Sequence, residues 1–248
     1  MRQRFQIKLN YRLTFGSSFH CGTGLPNGLI DRSVCKDSNG YLYVPGSTIK
    51  GVLRESCEVI ARLFNLSARQ PHDEHVALKA HAGDVDIVES IFGSRFKESS
   101  LFFDNAYMID KNFFDGQSRN NKKYLFMQVE HRTQTSISRR TGTVKEGALF
   151  SSEFGISGLS FNGSIHGILA GFLNELSEEN LKSPYALFLL IAGIYFTEKI
   201  GANRSVGMGR CKLSIKELLV DGKSKKPEDY LNDVDSLLCY QDAKGEDK

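Results

Sequence analysis

Two carboxylates and two cations share the stretch from Gly28 to Glu55, GLIDRSVCKDSNGYLYVPGSTIKGVLRE. Lys50 and Arg54 are four positions apart, so on a helix they occupy one face, close to an end whose unpaired N–H groups already favour anions. Asp31 and Asp37 lie in the polar loop ahead of that helix, where a carboxylate can take a proton or hold a hard divalent cation. The chemistry suggested is a phosphate grip with acids beside it. A surface helix with two solvated cations, following a loop with turn carboxylates, has the same spacing.

Two further stretches carry suitable groups. Between Arg119 and Glu146 there are seven basic residues (Arg119, Lys122, Lys123, Arg132, Arg139, Arg140, Lys145) against two acids, Glu130 and Glu146. The whole chain carries only +3, so its basic surplus is concentrated in this middle segment, as an electrostatic footprint for a polyanion would be. GANRSVGMGR, residues 201–210, places three glycines among Asn203, Arg204 and Arg210, which lets backbone approach a phosphate or base closely.

The elements that must position these groups follow from periodicity. Residues 4–16 alternate strictly, with Phe5, Ile7, Leu9, Tyr11, Leu13 and Phe15 on one side, and predict a half-buried strand. Ile49, Val52, Leu53, Cys57, Ile60, Ala61 and Phe64 recur at steps of three and four, predicting a helix over about 47–65 with Ser47 or Thr48 as its cap. Strands are expected over 100–108, 125–129, 148–154, 160–168 and 211–215. A second helix is expected from the Ser183-Pro184 start to Ile200. The segment HRTQTSISRRTGTVKEG has nothing bulky enough to build a core, so 124–154 reads as a projecting hairpin that presents Arg132, Arg139, Arg140 and Lys145.

This order predicts an α+β fold of the ferredoxin-like, RRM-like type, an antiparallel sheet with two helices and loop insertions. One domain is expected over 1–220, with an insertion at about 66–92 and a charged tail over 221–248. The insertion holds His72, His75 and His81, without a standard ligand set for zinc even with Cys57 nearby. Five cysteines without a CxxC pair point to a reducing compartment, and the alternating N-terminus to no secretory leader, so a cytoplasmic location is expected. The most apolar run, Tyr185 to Ile200, is too short to span a bilayer. Walker, dinucleotide and nucleophile-elbow signatures are absent.

IDRSVCKDSNGYLYVPGSTIKGVLR, SISRRTGTVKEGALFSSEF and GANRSVGMGR, in that order, resemble the blocks of the RAMP superfamily, and within it the repeated backbone subunit of type III CRISPR effector complexes. The resemblance implies an RRM-like palm, a hairpin thumb, and copies stacked along a guide CRISPR RNA with other effector subunits. It implies guide contacts at Ser47, Lys50 and Arg54, and RNA contacts at Asn203, Arg204 and Arg210. It also implies that Asp31 cleaves complementary single-stranded target RNA, with Mg²⁺ or another divalent cation held at Asp31. Ser138 stands where many relatives have an aspartate, and Arg32-Ser33 replaces a common Ser/Asn-Pro. A non-catalytic RNA-binding scaffold stays open, as does a metal-independent guide-RNA processing endoribonuclease using His20 or His131.

Overall fold

The alternation of β1 (Gln3–Phe15) puts Ile7, Leu9, Tyr11, Leu13 and Phe15 on a buried face and turns Lys8 and Arg12 outward. In this computed structural model, which describes residues 3–26, 28, 30–68, 86–94, 97–109, 111–115, 122–174 and 182–240, β1 is central to an antiparallel sheet. It pairs on one side with β7 (Ser160–Gly171) and on the other with β8 (Cys211–Val220). Beyond β7 lie β3 (Leu101–Phe103), β4 (Ala106–Met108) and β2 (Tyr43–Val44); β9 (Lys223–Ser224) closes the β8 edge. The strand expected over 100–108 is thus two short strands. Asp104 and Asn105 interrupt it, and their side chains bond elsewhere, to Ser164 and to the Gly46 amide.

Two long helices cover one face, as the α+β expectation requires. The amphipathic α1 (Gly46–Leu63) buries Ile49, Leu53, Cys57, Ile60 and Ala61. The other long helix, α4 (Tyr185–Phe196), is apolar all round and buried from Tyr185 to Ile194, because it lies between α1, the sheet and the C-terminal segment. The helices approach closely where Gly193 faces Cys57: a Cβ there would come within 2.5 Å of the Cys57 sulfur. Cys57 is therefore a packing residue whose Sγ–H donates to the Leu189 carbonyl at 3.5 Å. His72, His75 and His81 lie outside the described residues. The insertion region ends in the short α2 (Ile87–Phe92), opened by a capping box between Asp86 and Glu89, and a further short helix, α3 (Lys111–Asp115), follows β4.

Several boundaries depart from expectation. Pro45, not Ser47 or Thr48, occupies the N-cap of α1, and no side chain of its own segment caps it; the Gly46 N–H donates instead to Asn105 Oδ1 at 2.9 Å. The second long helix stops at Phe196 rather than Ile200, because Thr197 turns extended and donates its hydroxyl back to the Gly193 carbonyl. Ser183 is likewise no cap: its hydroxyl meets the Tyr230 hydroxyl at 3.1 Å. The charged segment read as a tail packs down as far as Tyr240. There α5 (Pro227–Asn232) and a 3₁₀ turn (Val234–Cys239) bury Tyr230 and Leu237 against α4. No helix among the described residues is long and apolar enough to cross a membrane.

Candidate nucleic-acid interface

The strands of the hairpin run further toward its tip than the sequence suggests. Its strands, β5 (Val129–Ile137) and β6 (Val144–Gly155), form a separate two-stranded ribbon, and residues 122–128 are 3₁₀ helix, not strand. Most of what reads as a basic connection is ladder, with the turn confined to residues 138–143. A ribbon solvated on both faces needs no apolar alternation, so periodicity cannot mark its ends. Arg139, Arg140 and Lys145 are exposed at its tip. Arg132 sits nearer the body, with its guanidinium 2.6 Å from Glu130 and over the Phe154 ring.

The Asp31 loop is laid against the inner end of this ribbon. The Asp31 and Arg32 amides both donate to the Ser151 carbonyl, and the Ser151 amide returns a bond of 2.8 Å to Asp31 Oδ2. The Arg32 carbonyl then accepts from the Glu153 amide at 2.9 Å. Glu153, only 2% exposed, completes the attachment. Its Oε2 accepts from the Val34 amide at 3.1 Å, and its Oε1 takes Lys36 Nζ at 2.5 Å. His20, the base that a processing nuclease would use, is buried, with Nδ1 2.8 Å from the Glu153 carbonyl oxygen. His131 is exposed on β5.

Asp37 does different work. Its Oδ1 accepts from the Asn39 and Tyr41 amides, each at 2.9 Å, which makes it the turn residue between Lys36 and Leu42. Asp31 is the exposed carboxylate of the two beside a cleft. That cleft, of about 670 Å³, is lined by His20, Asp31, Arg32, Thr48, Val52 and Arg204, together with Gly201 of the Gly-rich loop.

The three sequence blocks therefore meet, although not every cation faces the cleft. On α1, Ser47, Gly51 and Glu55 form the exposed stripe, with Thr48 and Val52 on the shoulder toward Asp31. Lys50 and Arg54 fall on the opposite shoulder. Lys50 Nζ lies 5.9 Å over the Phe103 ring, where burial, and secondarily the Arg54 charge, lower its pKa. Arg54 is held by Glu58 Oε1 and by the Gly93 carbonyl, both at 3.0 Å. Its guanidinium braces α1 against the residue after α2, so a phosphate would share it with these partners.

In the Gly-rich loop Asn203 adopts a left-handed conformation, φ 59°, and starts a 3₁₀ turn (Arg204–Val206). Gly201 and Gly209 press their Cα atoms against the His20 and Ile200 carbonyls, where any Cβ would collide. The Arg204 guanidinium bridges to Glu55 at 2.8 Å and so ties this loop to α1. Arg210 is exposed, and its amide donates to Ser17 Oγ.

Among the described residues no three His, Cys, Asp or Glu side chains gather as a metal cage. Asp31 offers a single carboxylate, with Oδ2 anchored by Ser151. That donor set suits a hydrated cation completed by RNA oxygens, not a resident structural metal.

Comparison with known proteins agrees with this construction. A search of curated protein sequences found no match. A chain from a solved structure, described as "Cryo-EM structure of the Type III-B Cmr-beta bound to cognate target RNA", superposes with a TM-score of 0.54 at 12% identity. The match covers 84% of this chain and 96% of that one, and shows a shared fold. The sequence model of the RAMP superfamily matches residues 12–212, which span β1 through the start of β8 and include the Asp31 loop, α1, the hairpin and the Gly-rich loop; the chain belongs to the RAMP superfamily.

Proposed function

We propose that this chain is a backbone subunit of a type III CRISPR effector complex, that it binds guide RNA, and that it cleaves complementary target RNA through Asp31. One observation carries the reading: an exposed carboxylate is anchored at the root of a basic ribbon and opens onto the cleft formed by α1 and the Gly-rich loop. The guide backbone lies along the exposed stripe of α1, where Gly51 presents no side chain, with Ser47 and Lys50 as donors. The target strand lies on the Asp31 shoulder. Base pairing selects the sequence, and the protein holds backbone and shape.

Cleavage proceeds by attack of a target 2′-hydroxyl on its own phosphate. The 2′-oxygen passes its proton to water and bonds to phosphorus as the P–O5′ bond breaks; the 5′-oxygen takes a proton from water as it leaves, and a 2′,3′-cyclic phosphate remains. A divalent cation such as Mg²⁺, when bound at Asp31, would offset the charge that develops on the phosphate. The Ser151 N–H anchors one oxygen of the carboxylate beside the cleft, and Arg32 and Arg204 line the same space. The ribbon splays one target nucleotide toward this carboxylate.

A scaffold without chemistry is the second reading, because the Asp31–Ser151 bond alone gives Asp31 a structural use. Asp31→Asn separates the two, since an amide oxygen still accepts from Ser151 but carries no charge. We expect the assembled complex to bind guide and target normally while target cleavage falls about a hundredfold or more. Unchanged cleavage would leave only the scaffold. The processing-nuclease reading has less support, because His20 is buried and engaged with Glu153. Metal-free cleavage of precursor RNA by the isolated protein would revive it.

A further inference from the structure

The outer face of the sheet, away from α1 and α4, carries a second polar hollow of about 580 Å³. Asn10, Arg12, Asp104, Tyr107, Ser164 and Lys216 line it. The geometry points to a second ligand site here, one that takes a nucleotide unit: a phosphate on Arg12 and Lys216, and a base stacked on Tyr107 with its polar edge toward Asp104.

Four observations support that assignment. Arg12 and Lys216 are exposed, and among the described residues neither side chain has an ion-pair or hydrogen-bond partner. Two unpaired cations beside one hollow match an anionic ligand. Tyr107 is 47% exposed, with its ring 5.9 Å from the Tyr43 ring and tilted 32° to it, so about half of its surface is left for a base to pack on. Asp104 Oδ2 is occupied by the Ser164 hydroxyl and by His166 Nδ1, which orients the carboxylate and leaves Oδ1 as an acceptor for base N–H or ribose O–H groups.

The fourth is Tyr11. Its ring crosses Gly163 at the wall of the hollow, where a Cβ would come within 2.4 Å of the hydroxyl. The Tyr11 side chain is 2% exposed, yet its hydroxyl has no hydrogen-bond partner. Burial, and next the Asp104 charge, push its pKa up, so it stays a donor. A buried donor left unmatched costs stability unless something else meets it.

Purified protein is titrated with a nucleoside monophosphate and with a short single-stranded oligoribonucleotide, following binding by backbone amide NMR shifts and fluorescence anisotropy. We expect both ligands to shift β1, β7 and β8 amides around Arg12, Asn162 and Lys216. Arg12→Ala/Lys216→Ala and Tyr107→Ala should each weaken binding about tenfold. Both change exposed side chains, and a thermal melt confirms that they fold. Lys50→Ala with Arg139→Ala/Arg140→Ala should leave the monophosphate affinity unchanged, which separates this site from the cleft of the proposed function. Binding of the oligoribonucleotide but not the monophosphate at these amides assigns the hollow to a nucleotide within a strand; binding of both admits a free nucleotide. Shifts confined to the α1 cleft, retention of affinity by the double variant, or protection of this face only by a second copy of the chain would each overturn the assignment.

Discussion

The root and the tip of the hairpin are continuous strands with opposite physics. At the root, Ser152, Glu153 and Phe154 are buried, and the Ser151 backbone, the Glu153 amide and the Glu153 carboxylate all bond to the Asp31 loop. Toward the tip, Ile137, Val144 and Leu149 are between 60% and 71% exposed, and the Arg139 and Arg140 side chains extend into solvent. The root is thus part of the scaffold that places Asp31, while the tip adds charge without adding stability. Changes at the root should lower stability and disturb the carboxylate. Changes at the tip should lower only affinity for RNA.

Glu153→Ala tests the root most severely. It strands Lys36 and the Val34 amide and removes the carboxylate that joins β6 to the loop. A loss of about 2 kcal/mol is expected in denaturant unfolding, because the buried Val34 amide loses its acceptor, whereas Lys36 is partly exposed and can turn to water. Target cleavage should fall further than RNA binding. If Glu153→Ala unfolded at the wild-type midpoint, root and tip would be energetically alike and the distinction would fail.

Two glycines allow the same comparison without charge. A Cβ on Gly155, at the root, would sit 2.4 Å from the Phe19 ring, which is stacked on Phe15 at 3.8 Å and cannot retreat. Gly142, at the tip, has φ 64° and open space around it. Gly155→Ala should cost about 2–3 kcal/mol by overpacking, and Gly142→Ala about 1 kcal/mol from left-handed strain alone. Thermal denaturation of the two variants would reverse the picture if Gly142→Ala were the more damaging.

The tip charges come next. Arg139→Ala/Arg140→Ala/Lys145→Ala should stay within about 0.5 kcal/mol of the parent in stability. The slope of log affinity against log salt should shrink by about 2, as three lost phosphate contacts to single-stranded RNA require. An unchanged slope would show that these side chains do not meet phosphate.

How much of this was legible in the sequence differs along the same lines. β1, α1 and α4 are readable because each buries a periodic or continuous apolar set, and burial is what the periodicity records. The basic excess of the hairpin is readable as charge, but the reach of its strands is not, since a ribbon with two wet faces leaves no apolar signature. Glu153 is missed altogether. In FSSEFG it reads as one more strand acid, and its role depends on Val34 and Lys36, more than a hundred positions away. The one available signal is an acid held among Ser151, Ser152 and Phe154 at the buried end of a strand. Asn105 is missed for the same reason, because the α1 amide it caps is remote in sequence and Ser47 and Thr48 are the obvious local candidates.

The smallest effect concerns Lys50, on the shoulder of α1 away from Asp31. Its pKa is lowered from 10.5, first by burial against the body and then by Arg54. The folded value lies below the unfolded one, so the folded chain disfavours the charged lysine. The associated stability is present above the unfolded value and is lost as pH falls through the folded one. A bound phosphate acts in the opposite sense, because it favours the ammonium. RNA binding should therefore take up protons where Lys50 is part neutral, and affinity should decline as pH rises toward the ordinary lysine value of 10.5. Lys50→Arg keeps its charge across that range. Anisotropy titrations should show the affinity of Lys50→Arg relative to the parent rising with pH, by less than about tenfold. A parallel decline in both proteins would mean that Lys50 does not touch phosphate, and that the grip on the guide belongs to the backbone amides and Ser47 at the start of α1.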